Sequence, residues 1–295
     1  MLVQPPTMTR ASPTRKPCAL THTAALRLRW VCARVSAMRN AHGTPIWYEL
    51  LANDVKAAMV FYERVVGWTA QPSPPGTPHG YQMIDTGHGF VGGTMQLTDD
   101  MRRGGAKPTW LFYVGVEDVD ATAKAVEQAG GKLLMKPFDI PNAGRAAMIA
   151  DPQGIPLYVM RGSTDAPSTA WERTGMGKCN WNELATSDQA AANHFYATLF
   201  GWKYPEKMAM PGDAGDYVFV DVGDKRIGAT MKQSADQPKG WMFYFRVPNI
   251  DEAAEKVKAG GGKVHAGPMD VPGGDRIIVA SDPEGVPFGL VAPGK

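Results

Sequence analysis

The stretch Trp47-Tyr48-Glu49-Leu50 is followed by Phe61-Tyr62 and Gly67-Trp68, and all three blocks return 134 residues later. The second copies are Trp181-Asn182-Glu183-Leu184, Phe195-Tyr196 and Gly201-Trp202. Two more blocks recur 131 residues apart: Trp110-Leu111-Phe112-Tyr113 with Trp241-Met242-Phe243-Tyr244, and Asp151-Pro152-Gln153-Gly154 with Asp282-Pro283-Glu284-Gly285. A nearly constant offset over a domain length indicates a tandem duplication.

The duplication predicts two domains, at residues 44–162 and 179–295, joined by a linker at 163–178 that is rich in Ser, Thr, Pro and Gly. Residues 1–43 form a tail with seven basic residues and no acidic one. We expect this tail to be disordered, or to reflect a start placed too early, with translation beginning at Met8 or Met38. A targeting segment is the third interpretation.

Composition excludes several classes of protein. Beyond the tail the chain has 24 basic and 29 acidic residues, so a nucleic-acid partner is not expected. No apolar run reaches the roughly 20 residues that span a bilayer, so no membrane association is expected either. Cys179 is the one cysteine beyond the tail, which favours a reducing, cytoplasmic location.

One copy of the repeat predicts its own architecture. A strand at 46–52 ends before Asp54, which can cap a helix that runs to the left-handed Gly67. The chain is extended from Trp68 onward and again at 81–86 and 90–97, giving the order βαβββ. The second half repeats this order, with a strand at 109–116, a helix capped by Asp118, and strands near 132–136, 144–150 and 155–160. The chain therefore contains four βαβββ units of an α+β fold, with helices packed outside curved mixed sheets.

The pattern resembles the vicinal oxygen chelate superfamily, which includes glyoxalase I, bleomycin-resistance proteins and extradiol dioxygenases. The resemblance rests on the strand that leads into a capped helix with Phe-Tyr and Gly-Trp, and on the Asp-Pro-x-Gly turn. It covers residues 44–162 and 179–292, and is strongest to two-domain bacterial members with a Trp-x-Glu-Leu start. It implies a tandem glyoxalase/bleomycin-resistance/dioxygenase fold and a small-molecule partner, bound in the cup that each curved sheet forms.

The resemblance also implies where metal ligands would stand. Enzymes of the superfamily hold a divalent metal with His, Gln or Glu on the first, fifth and last strands of a domain. The matching positions here are Trp47, Leu111 and Tyr158, and in the second copy Trp181, Met242 and Gly289. None offers imidazole or carboxylate, and none of the six histidines recurs between copies. We therefore predict no metal site and no cofactor, with a divalent metal as the alternative.

Strand alternation predicts which side chains face each cup. Since Leu50 suits the helix-facing core, Trp47 and Glu49 should face the first cup, and Trp181 and Glu183 the second. The other predicted cup residues are Leu111, Tyr113, Arg145, Tyr158, Met242, Tyr244 and Arg276.

Each glutamate has two interpretations. It is a structural group, paired with an arginine such as Arg145 or bonded to backbone amides, or it is a polar anchor or general base whose pKa burial raises. Trp47 and Trp181 are core residues or stacking platforms.

Three functions remain open on the sequence. The first is a metal-free protein, monomeric or homodimeric, that binds a small, partly aromatic molecule in two apolar cups. The second is a glyoxalase- or dioxygenase-type enzyme (a lyase, isomerase or oxidoreductase) that uses a divalent metal, or Glu49 and Glu183 as acid–base groups. The third is a structural or regulatory dimerisation module.

Overall fold

Two eight-stranded mixed sheets, one from each copy of the repeat, make up the fold. The computed structural model describes residues 40–73, 75, 77, 80–212, 214–234 and 237–294, so most of the predicted tail lies outside the described residues. None of the described helices is long and apolar enough to cross a membrane.

The elements of the first domain are β1 (Pro45–Ala52), α1 (Val55–Val66), β2 (Thr69–Pro72), β3 (Gln82–Asp85), β4 (Phe90–Gln96), α2 (Asp99–Arg103), β5 (Thr109–Gly115), α3 (Val119–Gln128), β6 (Lys132–Ile140), β7 (Gly144–Ala150) and β8 (Pro156–Gly162). Those of the second domain are β9 (Cys179–Thr186), α4 (Gln189–Phe200), β10 (Lys207–Ala209), β11 (Asp216–Val222), β12 (Lys225–Lys232), β13 (Gly240–Arg246), α5 (Ile250–Ala259), β14 (Lys263–Asp270), β15 (Asp275–Ser281) and β16 (Pro287–Pro293).

Both sheets have the same strand order. It is β2-β3-β4-β1-β5-β8-β7-β6 in the first domain and β10-β11-β12-β9-β13-β16-β15-β14 in the second. The first strand of each domain is parallel to the fourth and antiparallel to the strand that opens the second unit. The predicted α+β class with four βαβββ units is confirmed.

The helix signals in the sequence act as expected. The Asp54 carboxylate accepts a hydrogen bond from the Ala57 amide at 3.0 Å, and Gly67 closes α1 at φ 89°. Asp118 caps α3 in the same way through the Ala121 amide, at 2.9 Å. The strand expected near 132–136 is longer, because β6 continues to Ile140 through two register shifts against β7. The short helix α2 was not predicted.

A single core joins the two domains, built from the sheet faces that carry Tyr48, Leu50 and Ala52 of β1 and Leu184 of β9. Tyr48 of β1 and Phe243 of β13 meet with ring centroids 5.1 Å apart. The Tyr48 hydroxyl donates to Asn182 Oδ1 at 2.8 Å, also across the domain boundary. The helices flank this core in pairs, α1 against α5 and α3 against α4.

The repeated motifs are the contacts that hold the two domains together. The Tyr62 hydroxyl of α1 donates to Asp282, in the Asp-Pro-x-Gly turn of the other domain, at 3.2 Å. The Tyr196 hydroxyl of α4 donates reciprocally to Asp151 at 3.1 Å. The Phe-Tyr motif of each copy therefore contacts the Asp-Pro-x-Gly turn of the other copy, which explains why both motifs occur in both copies. We call this set of contacts the interdomain clasp.

The two Gly-Trp motifs complete the interdomain clasp. Trp68 Nε1 donates to the Gly177 carbonyl at 2.7 Å, and Trp202 Nε1 donates to the Gly43 carbonyl at 2.8 Å. Both indoles are almost fully buried. The indole nitrogens are thus satisfied by backbone oxygens that precede the first strand of the opposite domain, which fixes the start of each domain against the other.

Candidate functional site

Each sheet has a second face, turned away from the shared core, and we call these faces the first cup and the second cup. In β1 the alternation places Trp47, Glu49 and Leu51 on the first cup, while Tyr48 and Leu50 enter the core. The apolar residues buried in the first cup are Ile46, Leu51, Leu97, Leu111, Tyr113, Ala146 and Tyr158. The first cup is therefore an apolar surface with one buried carboxyl group.

Glu49 lies in the first cup inside a network of tyrosine hydroxyls. Tyr113 Oη donates to Glu49 Oε2 at 3.0 Å, and Tyr81 also hydrogen-bonds to this carboxyl group. Trp47 Nε1 donates to Tyr81 Oη at 2.8 Å, so the indole orients the second phenol. The glutamate is only 4% exposed. Burial raises its pKa from the ordinary 4.5 to about 7, against the lowering effect of the bonds from Tyr113 and Tyr81.

The second cup repeats this network. Tyr217 Oη donates to Glu183 Oε2 at 2.7 Å, and Tyr244 Oη donates to Glu183 Oε1 at 3.1 Å. Trp181 Nε1 donates to Tyr217 Oη at 2.8 Å. Burial again raises the pKa of the glutamate, while the two phenols lower it. Each cup thus holds the same Trp–Tyr–Glu–Tyr arrangement.

Tyr81 and Tyr217 are site residues that the sequence analysis did not identify. They stand 136 residues apart, each followed four residues later by an aspartate, Asp85 and Asp221. That second offset is the signal that could have found them. A Cβ at Gly93 would collide with the Tyr81 hydroxyl, so this glycine leaves the phenol room to reach Glu49.

The predicted pairing of Arg145 with Glu49 is wrong. Arg145 Nε and Nη2 bind Asp120 at 2.6 and 2.9 Å, and Nη1 binds Asp139 at 2.9 Å. Arg145 alternates with Ala146 and so shares the face of Ala147 and Ile149, which lie in the interdomain core. Its side chain therefore leaves the sheet on the helix side, away from the first cup.

Arg276 of the second domain is placed in the same way, and its prediction as a cup residue is also wrong. It shares the face of the core residues Ile278 and Ala280 and binds Asp251 of α5 at 2.7 Å. Both arginines therefore tie a strand to the first turn of a helix.

The remaining predicted residues lie on the cup faces. Tyr158 stacks on Tyr113, with centroids 4.4 Å apart and ring planes within 8°. At the position equivalent to Tyr158 the second cup has Gly289, against which the Tyr244 ring lies. Leu111 is buried, whereas its counterpart Met242 is partly exposed. Trp47 and Trp181 are also partly exposed at their cups, so neither is a fully buried core residue.

The donor set of the cups does not suit a divalent metal. Around Glu49 the neighbouring donors are phenols and an indole, and the neighbouring strand offers Leu111. Within the described residues no three His, Cys, Asp or Glu side chains come together as a ligand group. One carboxylate already engaged by two phenols falls short of the three or four donors that a metal site requires.

A scan against family models gives the class. The Glyoxalase/Bleomycin resistance protein/Dioxygenase superfamily model matches residues 44–159 and again residues 178–290. The chain belongs to this superfamily, with two repeated domains.

Two relatives are similar to the chain over most of its length. The Mycobacterium bovis protein named "Putative glyoxylase CFP32" is 33% identical over 253 residues, covering 85% of this chain and 95% of that protein. The Streptomyces peucetius "Anthracycline biosynthesis protein DnrV" is 31% identical over 272 residues, covering 86% of this chain and 94% of that protein.

Among solved structures, the 2,3-dioxygenase LapB from Pseudomonas sp. KL28 is similar in fold. The TM-score is 0.61 over 86% of this chain and 94% of that chain. At 13% sequence identity the likeness concerns the fold alone.

Proposed function

We propose that this protein binds a small, partly aromatic molecule in its cups without a metal ion. The observation that carries the proposal is the Trp–Tyr–Glu–Tyr network, which occurs in both cups with the same bonding pattern. A purely structural role would require only that the carboxyl group be satisfied. The network also holds an indole edge and two phenols in fixed orientation around one polar group in an apolar surface.

The chemistry of the network favours an aromatic ligand that carries a hydroxyl group. Partly exposed rings such as Trp47 and Trp181 offer flat apolar surface for stacking. A carboxyl group has about four lone-pair positions and the two phenols use two of them, so Glu49 or Glu183 can still accept a bond from a ligand hydroxyl. A group whose pKa lies near 7 can also donate when protonated.

The relatives support an aromatic ligand class. The relative from Streptomyces peucetius is named for anthracycline biosynthesis, and anthracyclines are fused-ring hydroxylated aromatics. One partly exposed tryptophan and one carboxyl group in each cup match such chemistry better than they match a small aliphatic substrate. We therefore take a hydroxylated aromatic as the ligand class.

Binding of 2-naphthol, followed by calorimetry, tests the proposal. We expect saturable binding that a chelator leaves unchanged, together with no stoichiometric Mn, Fe, Ni or Zn in elemental analysis of the purified protein. Glu49→Gln and Glu183→Gln together should weaken binding, while Glu117→Gln, distant from both cups, should not. Absence of saturable binding, or loss of binding when a metal is removed, would overturn the proposal.

The second candidate is an enzyme, and the pKa of Glu49 is the observation that favours it. A carboxyl group that titrates near 7 in an apolar surface is suited to general acid–base catalysis at neutral pH. One relative carries a glyoxylase name. The test is turnover of the hemithioacetal of methylglyoxal and glutathione. If turnover occurs and Glu49→Gln abolishes it while 2-naphthol competes, the cups are catalytic. If no turnover is detected, the binding function stands alone.

A further inference from the structure

The two cups differ at the position of Tyr158, where the second domain has Gly289. In the first cup, the Tyr158 ring lies parallel to the Tyr113 ring at 4.4 Å. This is the geometry in which a flat aromatic ligand would stack. The protein's own side chain therefore occupies the aromatic slot of the first cup.

The second cup lacks this filling side chain. Gly289 replaces Tyr158, and the Tyr244 ring lies down against it. Among the described residues Tyr244 has no aromatic partner. The apolar residues around it are also more accessible, because Met242 and Ile277 are partly exposed where Leu111 and Ala146 are buried.

The second cup also carries charges at one end. Arg173 lies over the Trp181 ring at 5.1 Å from its centroid, with its side chain 46% exposed. Its nearest acid is Asp275, at 3.7 Å, on the cup face of β15. Asp275 is already bound at 2.9 Å by Arg246, whose side chain is nearly buried. Two guanidinium groups share one carboxylate there, which leaves a positive charge at the rim of this cup.

Two of these charged positions are occupied by glycine in the first domain. Gly144 stands where the second domain has Asp275, and Gly115 stands where it has Arg246. Arg39, 134 residues before Arg173, lies outside the described residues. The two cups therefore differ in the exposure of their apolar residues and in the Arg246–Asp275 ion pair, for which the first domain has two glycines.

We propose that the chain binds one ligand, in the second cup, and that this ligand is a flat aromatic acid. Its ring lies beside Trp181 on the partly exposed Met242 and Ile277, a hydroxyl group bonds to Glu183, and its carboxylate approaches Arg173. Tyr158 keeps the first cup closed. The inference rests on the proposed binding function and specifies which cup is used and which ligand class it takes.

The compound 6-hydroxy-2-naphthoate tests this inference, because its hydroxyl and carboxylate stand at opposite ends of a flat ring system. Calorimetry on the full chain should give one binding site per chain. Arg173→Gln should weaken 6-hydroxy-2-naphthoate about tenfold and change 2-naphthol less than about twofold, as the loss of one charge-assisted contact implies. Arg64→Gln removes an exposed cation on α1 and should change neither.

A matched pair of variants assigns the cup. Val279 and Met148 occupy equivalent positions on β15 and β7, both facing their cups. Val279→Trp fills the second cup and should abolish binding, whereas Met148→Trp should leave one site per chain. Far-UV circular dichroism and thermal melts establish that both variants fold. If Val279→Trp does not fold, Tyr158→Ala decides instead, because it should open the first cup and raise the stoichiometry to two.

The outcomes separate the inference from the proposed function. Two sites in the wild type, or loss of binding in Met148→Trp but not Val279→Trp, would overturn the inference and leave the binding function intact. Equal weakening of both compounds by Arg173→Gln would overturn the acidic ligand class. Failure of the wild type to bind either compound would overturn the proposed function as well.

Discussion

The first and second cups have the same polar network but different apolar residues around it. In both, an indole orients a phenol, and two phenols bind one buried glutamate. In the first, Tyr158 stacks on Tyr113, and Met101 of α2 packs against the apolar cluster. In the second, Gly289 stands at the equivalent position, and the described residues between β12 and β13 form no helix.

The difference shows which constraints acted on each part of the duplicated chain. The interdomain clasp needs Tyr62 to meet Asp282 and Tyr196 to meet Asp151, so a change in either copy would leave a buried group unpaired. Among the described residues, the apolar cluster of the first cup consists of first-domain residues alone, so it can change without altering the clasp. Symmetry is therefore expected in the clasp and not in the cups.

The largest predicted effect is a loss of stability when the interdomain clasp is broken. Trp68→Ala and Trp202→Ala should each lower the free energy of unfolding by about 4 kcal/mol, because each removes a buried indole and orphans a backbone carbonyl. Chemical denaturation of the full chain measures both, with Val60→Ala, at an exposed site on α1, as the control. Clearly unequal losses would mean that the clasp is not symmetric in energy.

The pH dependence of stability compares the two buried carboxyl groups. Burial raises the pKa of Glu49 from 4.5 to about 7, so the folded state binds its proton more tightly than the unfolded state does. The stabilisation is complete below about pH 4.5 and is lost as the pH rises to about 7, at a cost on the order of 3 kcal/mol. Glu49→Gln cannot ionise and should lack this loss.

The measurement is the difference between wild type and Glu49→Gln in denaturation series across this pH range. The pKa values of Glu183, Asp151 and Asp282 are also raised by burial, so only the difference isolates Glu49. Glu183→Gln should change the profile in the same direction. A wild-type profile that rises between pH 4.5 and 7 relative to Glu49→Gln would show that the phenols, and not burial, dominate.

Substitutions at Tyr158 and Gly289, the equivalent positions at which the two cups differ, should have smaller effects on stability. Tyr158→Ala should cost about 2 kcal/mol of stability through the lost stack and buried area, whereas Tyr158→Phe keeps the ring and should cost little. Gly289→Ala should cost about 1–2 kcal/mol, because the new Cβ collides with the Tyr244 ring. Thermal melts rank the three. A neutral Tyr158→Ala would show that the stack does not hold the first cup closed.

The sequence predicted the fold well because its signals are local and occur twice. Asp54, Gly67 and the spacing of apolar residues between them determine α1, and the strand that precedes it follows from alternation. The helix α2 was missed because a five-residue helix has no apolar periodicity to detect. The length of β6 was underestimated because register shifts interrupt its alternation.

The cups were predicted less completely, for two physical reasons. The recurrence of an arginine in both copies favours Arg145 as a partner for Glu49, but Arg145 alternates in step with Ala147 and Ile149 and therefore lies on the helix side of the sheet. The role of Tyr81 depends on which strands lie beside β1. The sheet places β4 next to β1 and β3 beyond it, the reverse of their order along the chain, so the sequence pattern does not bring Tyr81 to Glu49. Recurrence identifies constrained positions, and only the sheet order shows which constraint applies.

The smallest predicted effect tests the corrected placement of the two arginines. Arg145→Gln breaks partly exposed ion pairs to Asp120 and Asp139 on the helix side of the sheet. Ligand affinity should therefore stay within about twofold of the wild type, because the Arg145 side chain lies on the opposite face of the sheet from the cup. Exposed ion pairs also contribute little to stability. Arg276→Gln is the matched variant in the second domain and should behave in the same way. If either variant weakened 6-hydroxy-2-naphthoate as strongly as Arg173→Gln does, that arginine would have to reach the ligand. The anion would then be recognised from β7 or β15 and not from the residues that precede β9.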